Sequence, residues 1–133
     1  MAQFVVSPDG KVALRCAGTR ELGEAAVNVF LSTYSRGKSR NRAFQSLPLA
    51  LGPWEGCSAR VVATHQSCTF EGIASEQAIH DAVAATKARV HVGGHWHAWR
   101  GVHRGAFTAV NASNCDGRYV LRYGPLVMDV LAE

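Results

Sequence analysis

Five of the six histidines in this chain fall between residues 80 and 103, and the sixth, His65, closes a short apolar run. Two of the five, His95 and His97, flank Trp96 directly after Gly93-Gly94. Neutral imidazole is a good ligand for divalent Zn, Fe, Mn and similar ions. Two imidazoles at i and i+2 after a strand can both point into one pocket if the backbone there is irregular. The double glycine permits that irregularity and lets other groups approach closely. His80, His91 and His103 suit structural roles: a helix position, a strand interior and a turn.

The elements around these residues must bring His65 to the Gly-Gly-His-Trp-His run. Residues 59–64 are apolar and β-branched, the pattern of a buried strand that ends at His65. Ile79, Ala82, Val83 and Thr86 recur at helical spacing. Ser75 is the expected N-cap of that helix, and Glu76 in the first turn suits the helix dipole. Residues 89–92 form the next strand, running into the glycines. Strand, helix and strand at this length make a βαβ unit, whose two strands run parallel. Ligands collect at the carboxyl ends of such strands in an open α/β sheet. The topology therefore predicts that His65, His95 and His97 converge as metal ligands.

Upstream, residues 4–6 and 11–16 flank Ser7-Pro8-Asp9-Gly10 and read as a hairpin. Residues 26–31 are a further β-branched run. From 32 to 56 the chain is rich in Ser, Arg, Gly and Pro, and Pro48 and Pro53 prevent a long regular element. A segment of this kind packs over a functional face or covers an edge. Downstream, residues 106–111 and 126–131 are expected strands, with a further candidate at 118–122.

The 133 residues, 47% hydrophobic and 18% charged, have the composition of one globular domain spanning 1–133. No apolar run is long enough to cross a bilayer. No secretory or transit pattern opens the sequence, which makes the cytoplasm the default expectation. A net charge of +4 favours anionic partners. Arg36, Lys38, Arg40 and Arg42 alternate through residues 35–42, either as a solvated loop or as a phosphate- or nucleic-acid-binding patch. Cys16, Cys57, Cys68 and Cys115 are widely spaced without a Cys-x-x-Cys pair, as expected of thiols in a reducing compartment. A structural zinc site built from Cys57, Cys68, His65 and one more histidine is a weaker alternative, since its spacing matches no usual knuckle.

Thr64-His65, the following helix, and Val90-His91-Val92-Gly93-Gly94-His95-Trp96-His97 together resemble the closing motifs of calcineurin-like metallophosphoesterases. Gly101-Val102, Thr108 through Cys115, and Pro125 through Val130 extend the resemblance toward the small metallophosphoesterase-domain branch. It covers about residues 26–131 and is strongest from 59 onward. The resemblance implies a layered α/β sandwich around a mixed sheet, corresponding to the carboxyl-terminal half of that fold. It also implies a site of Mn, Fe or Zn ions that hydrolyses a phosphate mono- or diester. His65 and His95 would hold one ion and His97 the other, while Arg36, Lys38, Arg40 and Arg42 would help hold the phosphate.

The family's remaining ligands are an Asp-x-His, a Gly-Asp with a bridging aspartate, and a Gly-Asn-His run carrying the catalytic histidine. None is present: the only aspartates are Asp9, Asp81, Asp116 and Asp129, and no histidine precedes His65. No catalytic residue is therefore identified. Three readings follow: the chain is the carboxyl-terminal half of a split or truncated enzyme, it supplies half of a site to another polypeptide, or it is a non-catalytic descendant that binds protein or nucleic acid through residues 35–42. A half-fold would also leave a sheet edge open, which the hairpin at 4–16 is placed to cover.

Overall fold

The computed structural model describes residues 4–6, 12–14, 18–22, 27–32, 54, 56–68 and 74–129. The hairpin forms as β1 (Phe4–Val6) and β2 (Val12–Leu14), paired antiparallel. It stands as a separate two-stranded sheet and pairs with no strand of the larger one. The expected covering of an open edge by hydrogen bonding is thus not what these strands do.

The larger sheet contains β3 (Gly18–Leu22), β4 (Val27–Ser32), β5 (Val61–Gln66), β6 (Val90–Gly94), β7 (Gly101–Arg104) and β8 (Thr108–Asn111). Their order is β3-β4-β5-β6-β8-β7. The four central strands β4, β5, β6 and β8 run parallel, and the edge strands β3 and β7 are antiparallel to their neighbours. With the helix α1 (Ala74–Ala85) joining β5 to β6, this is a mixed α/β architecture with the expected βαβ unit at its centre.

Cross-strand register explains how the helix docks. Phe30, Val62, His91 and Ala109 are successive partners across the four parallel strands, so they form one row on one face. The helical stripe meets that row: Ile79, Ala82, Val83 and Thr86 are all buried. Ile79 and Val83 join Phe30, Val62, Phe107 and Ala109 in a single core, where Trp54 packs on Phe30 at 4.7 Å between ring centroids. Burying each large aliphatic side chain in this way stabilises the fold by about 1.5–3 kcal/mol.

Several local expectations are corrected. The helix already includes Ala74, so Ser75 lies inside it and is not its N-cap. His103 sits in β7 and not in a turn, because the chain reverses two residues later, where Gly105 N donates to Phe107 O. β3 was not signalled by Gly18-Thr19-Arg20-Glu21-Leu22, which lacks an apolar alternation. Residues 118–122 make a turn whose only strand-like feature is the bridge between Cys115 and Leu121. Residues 126–129 are irregular: Pro125 has no N–H to give a ladder, and Val127 is exposed. Among the described residues no helix is long and apolar enough to cross a membrane.

Candidate metal centre

The carboxyl ends of β5, β6 and β8 lie side by side at Gln66, Gly94 and Asn111, and the histidines are placed there. β5 ends irregularly, with a register shift between Ala63 and Gln66 against β6. His65 lies in this bulge and is exposed. Beyond β6 the chain makes a three-residue turn closed by Trp96 N donating to Gly94 O at 2.8 Å. His95 is the central residue of that turn, with φ of 71°. A left-handed φ at a non-glycine residue is sparsely populated and strained, and such residues gather at functional sites.

The irregular residue is therefore His95 itself, while the glycines before it stay within β6. Gly93 has a different task. A Cβ there would stand 2.7 Å from Ser67 Cα and 2.9 Å from Gln66 O. Only glycine lets β6 approach the outgoing end of β5 this closely, and Ser67 N then donates to Gly94 O.

The result is a direct meeting of His65 and His95, with Nε2 of the first 3.2 Å from Nδ1 of the second and the rings edge-on. Both imidazoles have lowered pKa values. Partial burial is the larger cause for each, followed by the charge of the neighbouring histidine, His95 for His65 and His97 for His95. Both rings are accordingly neutral at pH 7, the form in which a ring nitrogen offers a lone pair to a metal ion.

His97 does not complete a cluster. It opens a single turn of 3-10 helix (His97–Trp99), and its Nδ1 donates to Asp116 O at 2.7 Å while Tyr119 packs edge-on at 4.8 Å. The expected three-way convergence is thus a pair plus a third imidazole held to one side. Among the described residues no three His, Cys, Asp or Glu groups are placed to hold a metal ion together. Even so, a carbonyl accepting from Nδ1 fixes the tautomer of His97 and leaves Nε2 with its lone pair, the arrangement in which metal-binding histidines are commonly held.

Two residues not singled out from the sequence organise this end of the sheet. Asn111, fully buried at the end of β8, donates from Nδ2 to Trp96 O at 2.9 Å and accepts from Ser113 N at 3.1 Å, which fixes the turn between His95 and His97. Asp116 accepts at Oδ1 from Arg118 N and Val120 N and at Oδ2 from Arg122 Nε. The Arg122 bond, helped by the two backbone donors, holds its carboxyl below the usual carboxylate range. A polar residue ending an apolar strand is the one signal that could have pointed to Asn111.

The other histidines have structural partners. His80 packs on Phe107 at 5.0 Å and lies 3.4 Å from Asp81. His91 is completely buried, with Nε2 2.8 Å from Thr64 Oγ1 and Nδ1 3.0 Å from Cys68 Sγ. Cys68 thus meets His91, and among the described residues Cys57, Cys68 and a histidine form no group placed to hold a metal ion, which counts against the cysteine zinc site. Cys57, Cys68 and Cys115 are all thiols. Arg36, Lys38, Arg40, Arg42 and Cys16 lie outside the described residues. A cavity of about 430 Å³ between Lys87, Arg89 and Phe107 opens at the other end of β6 and β8, away from the histidines.

The chain matches no protein-family model, no curated protein and no solved structure.

Proposed function

We propose that this chain supplies the histidine ligands of a metal-dependent phosphoesterase site, in a fold like the carboxyl-terminal part of the metallophosphoesterases. The observation that carries the proposal is the 3.2 Å separation of His65 Nε2 and His95 Nδ1. Two nitrogens each about 2.0–2.1 Å from one ion, at tetrahedral or right-angled positions, stand about 2.8–3.4 Å apart. The pair therefore has the spacing of two ligands to one Mn, Fe or Zn ion before any ion is added. A divalent ion bound there would polarise a phosphoryl oxygen and acidify a bound water.

The chain's own residues do the rest of the positioning. The strained turn at His95 and the close approach at Gly93 orient the pair, and Asp116 O holds His97 with Nε2 available. Phosphate mono- or diesters are the substrate class that the resemblance to the metallophosphoesterases implies. Hydrolysis needs acidic ligands to bridge or complete the metal shell, and a second polypeptide is the proposed source of them.

The test is hydrolysis of a chromogenic phosphodiester by the purified chain with Mn²⁺, run beside equilibrium dialysis of the same samples. The expected result is Mn²⁺ retention by the chain and its loss in His65→Ala and His95→Ala. Turnover that requires His97 would extend the proposal to a self-sufficient site. Retention without turnover assigns the acids to the partner. A chain that retains no Mn²⁺, Fe²⁺ or Zn²⁺ would overturn it.

A further inference from the structure

The second feature of this molecule that asks for a ligand lies past the carboxyl end of β8, in the segments 97–100 and 114–124. Three aromatic side chains stand out there: Tyr119 is 81% exposed, Trp99 52% and Tyr123 43%. They belong to one surface, since residues 97–100 and 114–124 are tied together. His97 Nδ1 donates to Asp116 O, Arg100 Nη2 donates to Gly124 O at 2.7 Å, and the Arg100 guanidinium lies 5.1 Å over the Tyr123 ring.

The presentation of Tyr119 is built and not incidental. Its φ is 62°, a left-handed conformation that costs a tyrosine energy. Asp116 imposes it: the aspartate accepts from Arg118 N and Val120 N, while Tyr119 N donates to Asp116 O and Asp116 N donates to Val120 O. The side chain is thrust into solvent with one edge against His97.

Charge then selects the partner. Within residues 97–100 and 114–124 the sequence carries Arg100, Arg118 and Arg122 against Asp116 alone. Asp116 is consumed by Arg122 and two backbone donors. Arg118, beside Tyr119, is exposed, whereas Arg104 sits at the far end of β7, opposite Thr108. Exposed aromatic faces alternating with arginines, with almost no acid among them, match the two needs of a nucleic-acid strand: π-faces for unpaired bases and cations for phosphates. A duplex has its bases stacked already and offers nothing to these rings.

We infer that the surface formed by Trp99, Tyr119, Tyr123 and Arg118 binds single-stranded nucleic acid. This goes beyond the hydrolytic proposal and does not depend on it, because neither metal nor His65 is needed for stacking.

The test is fluorescence anisotropy of a labelled oligouridylate of about 12 nucleotides, titrated with the full chain in EDTA. The expected result is saturable binding in preference to a duplex of equal length, weakening steeply from about 50 to about 200 mM salt. Tyr119→Ala and Trp99→Ala should each weaken it about tenfold, and Tyr119→Phe should leave it unchanged. Arg118→Gln should lower the salt dependence by about one phosphate contact. Unchanged thermal midpoints establish that these exposed variants fold. Equal affinity for duplex, or indifference to loss of both rings, would overturn the inference. So would a concentration-dependent dimer broken by Tyr119→Ala in a chain that binds no strand, since the face would then join two copies of the protein. Because the assay contains EDTA, its failure leaves the metal proposal standing, and the reverse holds for the dialysis experiment.

Discussion

Thr64 in β5 and His91 in β6 are joined by a partly buried hydrogen bond of 2.8 Å, one residue in sequence from the exposed His65. The Thr64 hydroxyl donates to Gln66 O, so it accepts from His91 Nε2–H. That leaves His91 Nδ1 as the acceptor for the Cys68 thiol at 3.0 Å. The chain of three side chains ties the bulged end of β5 to its neighbour from the face α1 covers. His65, on the following residue, inherits its position from this lock. Buried polar networks of this kind rigidify a fold when every member is satisfied.

Acid should undo the lock. Burial, with a smaller contribution from His80, lowers the pKa of His91 from 6.5 to about 4. The unfolded chain therefore takes up this proton at higher pH than the folded one. His91's contribution is full above about pH 6.5, declines as pH falls through the folded value, and by then totals about 3 kcal/mol. Urea unfolding between pH 7 and pH 4 measures it. His91→Gln, compared by slope and not by absolute stability, should flatten the profile by that amount. An unchanged slope would mean that His91 is protonated or exposed in the folded protein.

How much of this was legible in advance depends on what each residue answers to. The α1 stripe and the β5 and β6 strands could be read because periodicity and burial go together there: Ile79, Val83 and Val62 are all fully buried. The meeting of His65 and His95 followed from topology alone, since parallel neighbours bring their ends together. The orientation of His97 did not follow, because it depends on a carbonyl nineteen residues away at Asp116. β3 was hidden because an edge strand needs no apolar alternation when a partner's backbone supplies its hydrogen bonds. The strand expected at 126–131 does not form over 126–129 for the opposite reason: an apolar run beginning after Pro125 has no strand pairing there among the described residues.

Gly93 should resist substitution. The methyl of Gly93→Ala would meet backbone, at 2.7 Å from Ser67 Cα, and backbone cannot swing aside as a side chain can. β5 and β6 would have to separate just where they carry His65 and His95. A loss of about 1–3 kcal/mol is expected, together with weaker metal retention. Gly105→Ala is the control, because nothing lies within 4 Å of its Cβ. Chemical denaturation of both variants distinguishes a steric cost at Gly93 from a general cost of replacing glycine.

Helix docking should be the larger energetic term. Ile79 is completely buried between α1 and the sheet. Ile79→Ala should therefore cost about 2–5 kcal/mol and Ile79→Val about 0.5–1.5 kcal/mol. Thermal or urea unfolding followed by circular dichroism gives both numbers. A cost for Ile79→Ala no greater than that of Ile79→Val would mean that α1 is not seated on the row formed by Phe30, Val62, His91 and Ala109.

The sharpest check on the histidine pair is a double-substitution cycle run with and without Zn²⁺. Without metal, His65 and His95 share one neutral hydrogen bond at an exposed site, so their coupling should be no more than about 1 kcal/mol. With Zn²⁺ at about a hundred times its dissociation constant, the chelated chain gains about 2.7 kcal/mol. His65→Ala alone and His95→Ala alone should each abolish that gain, since either one breaks the chelate. The double variant should then lose no more of it than either single variant does. Such non-additivity appears only if both rings serve one ion. Additive losses would place the two histidines on separate ions, and no Zn²⁺-dependent gain in the unsubstituted chain would mean that the 3.2 Å contact is a hydrogen bond and nothing more.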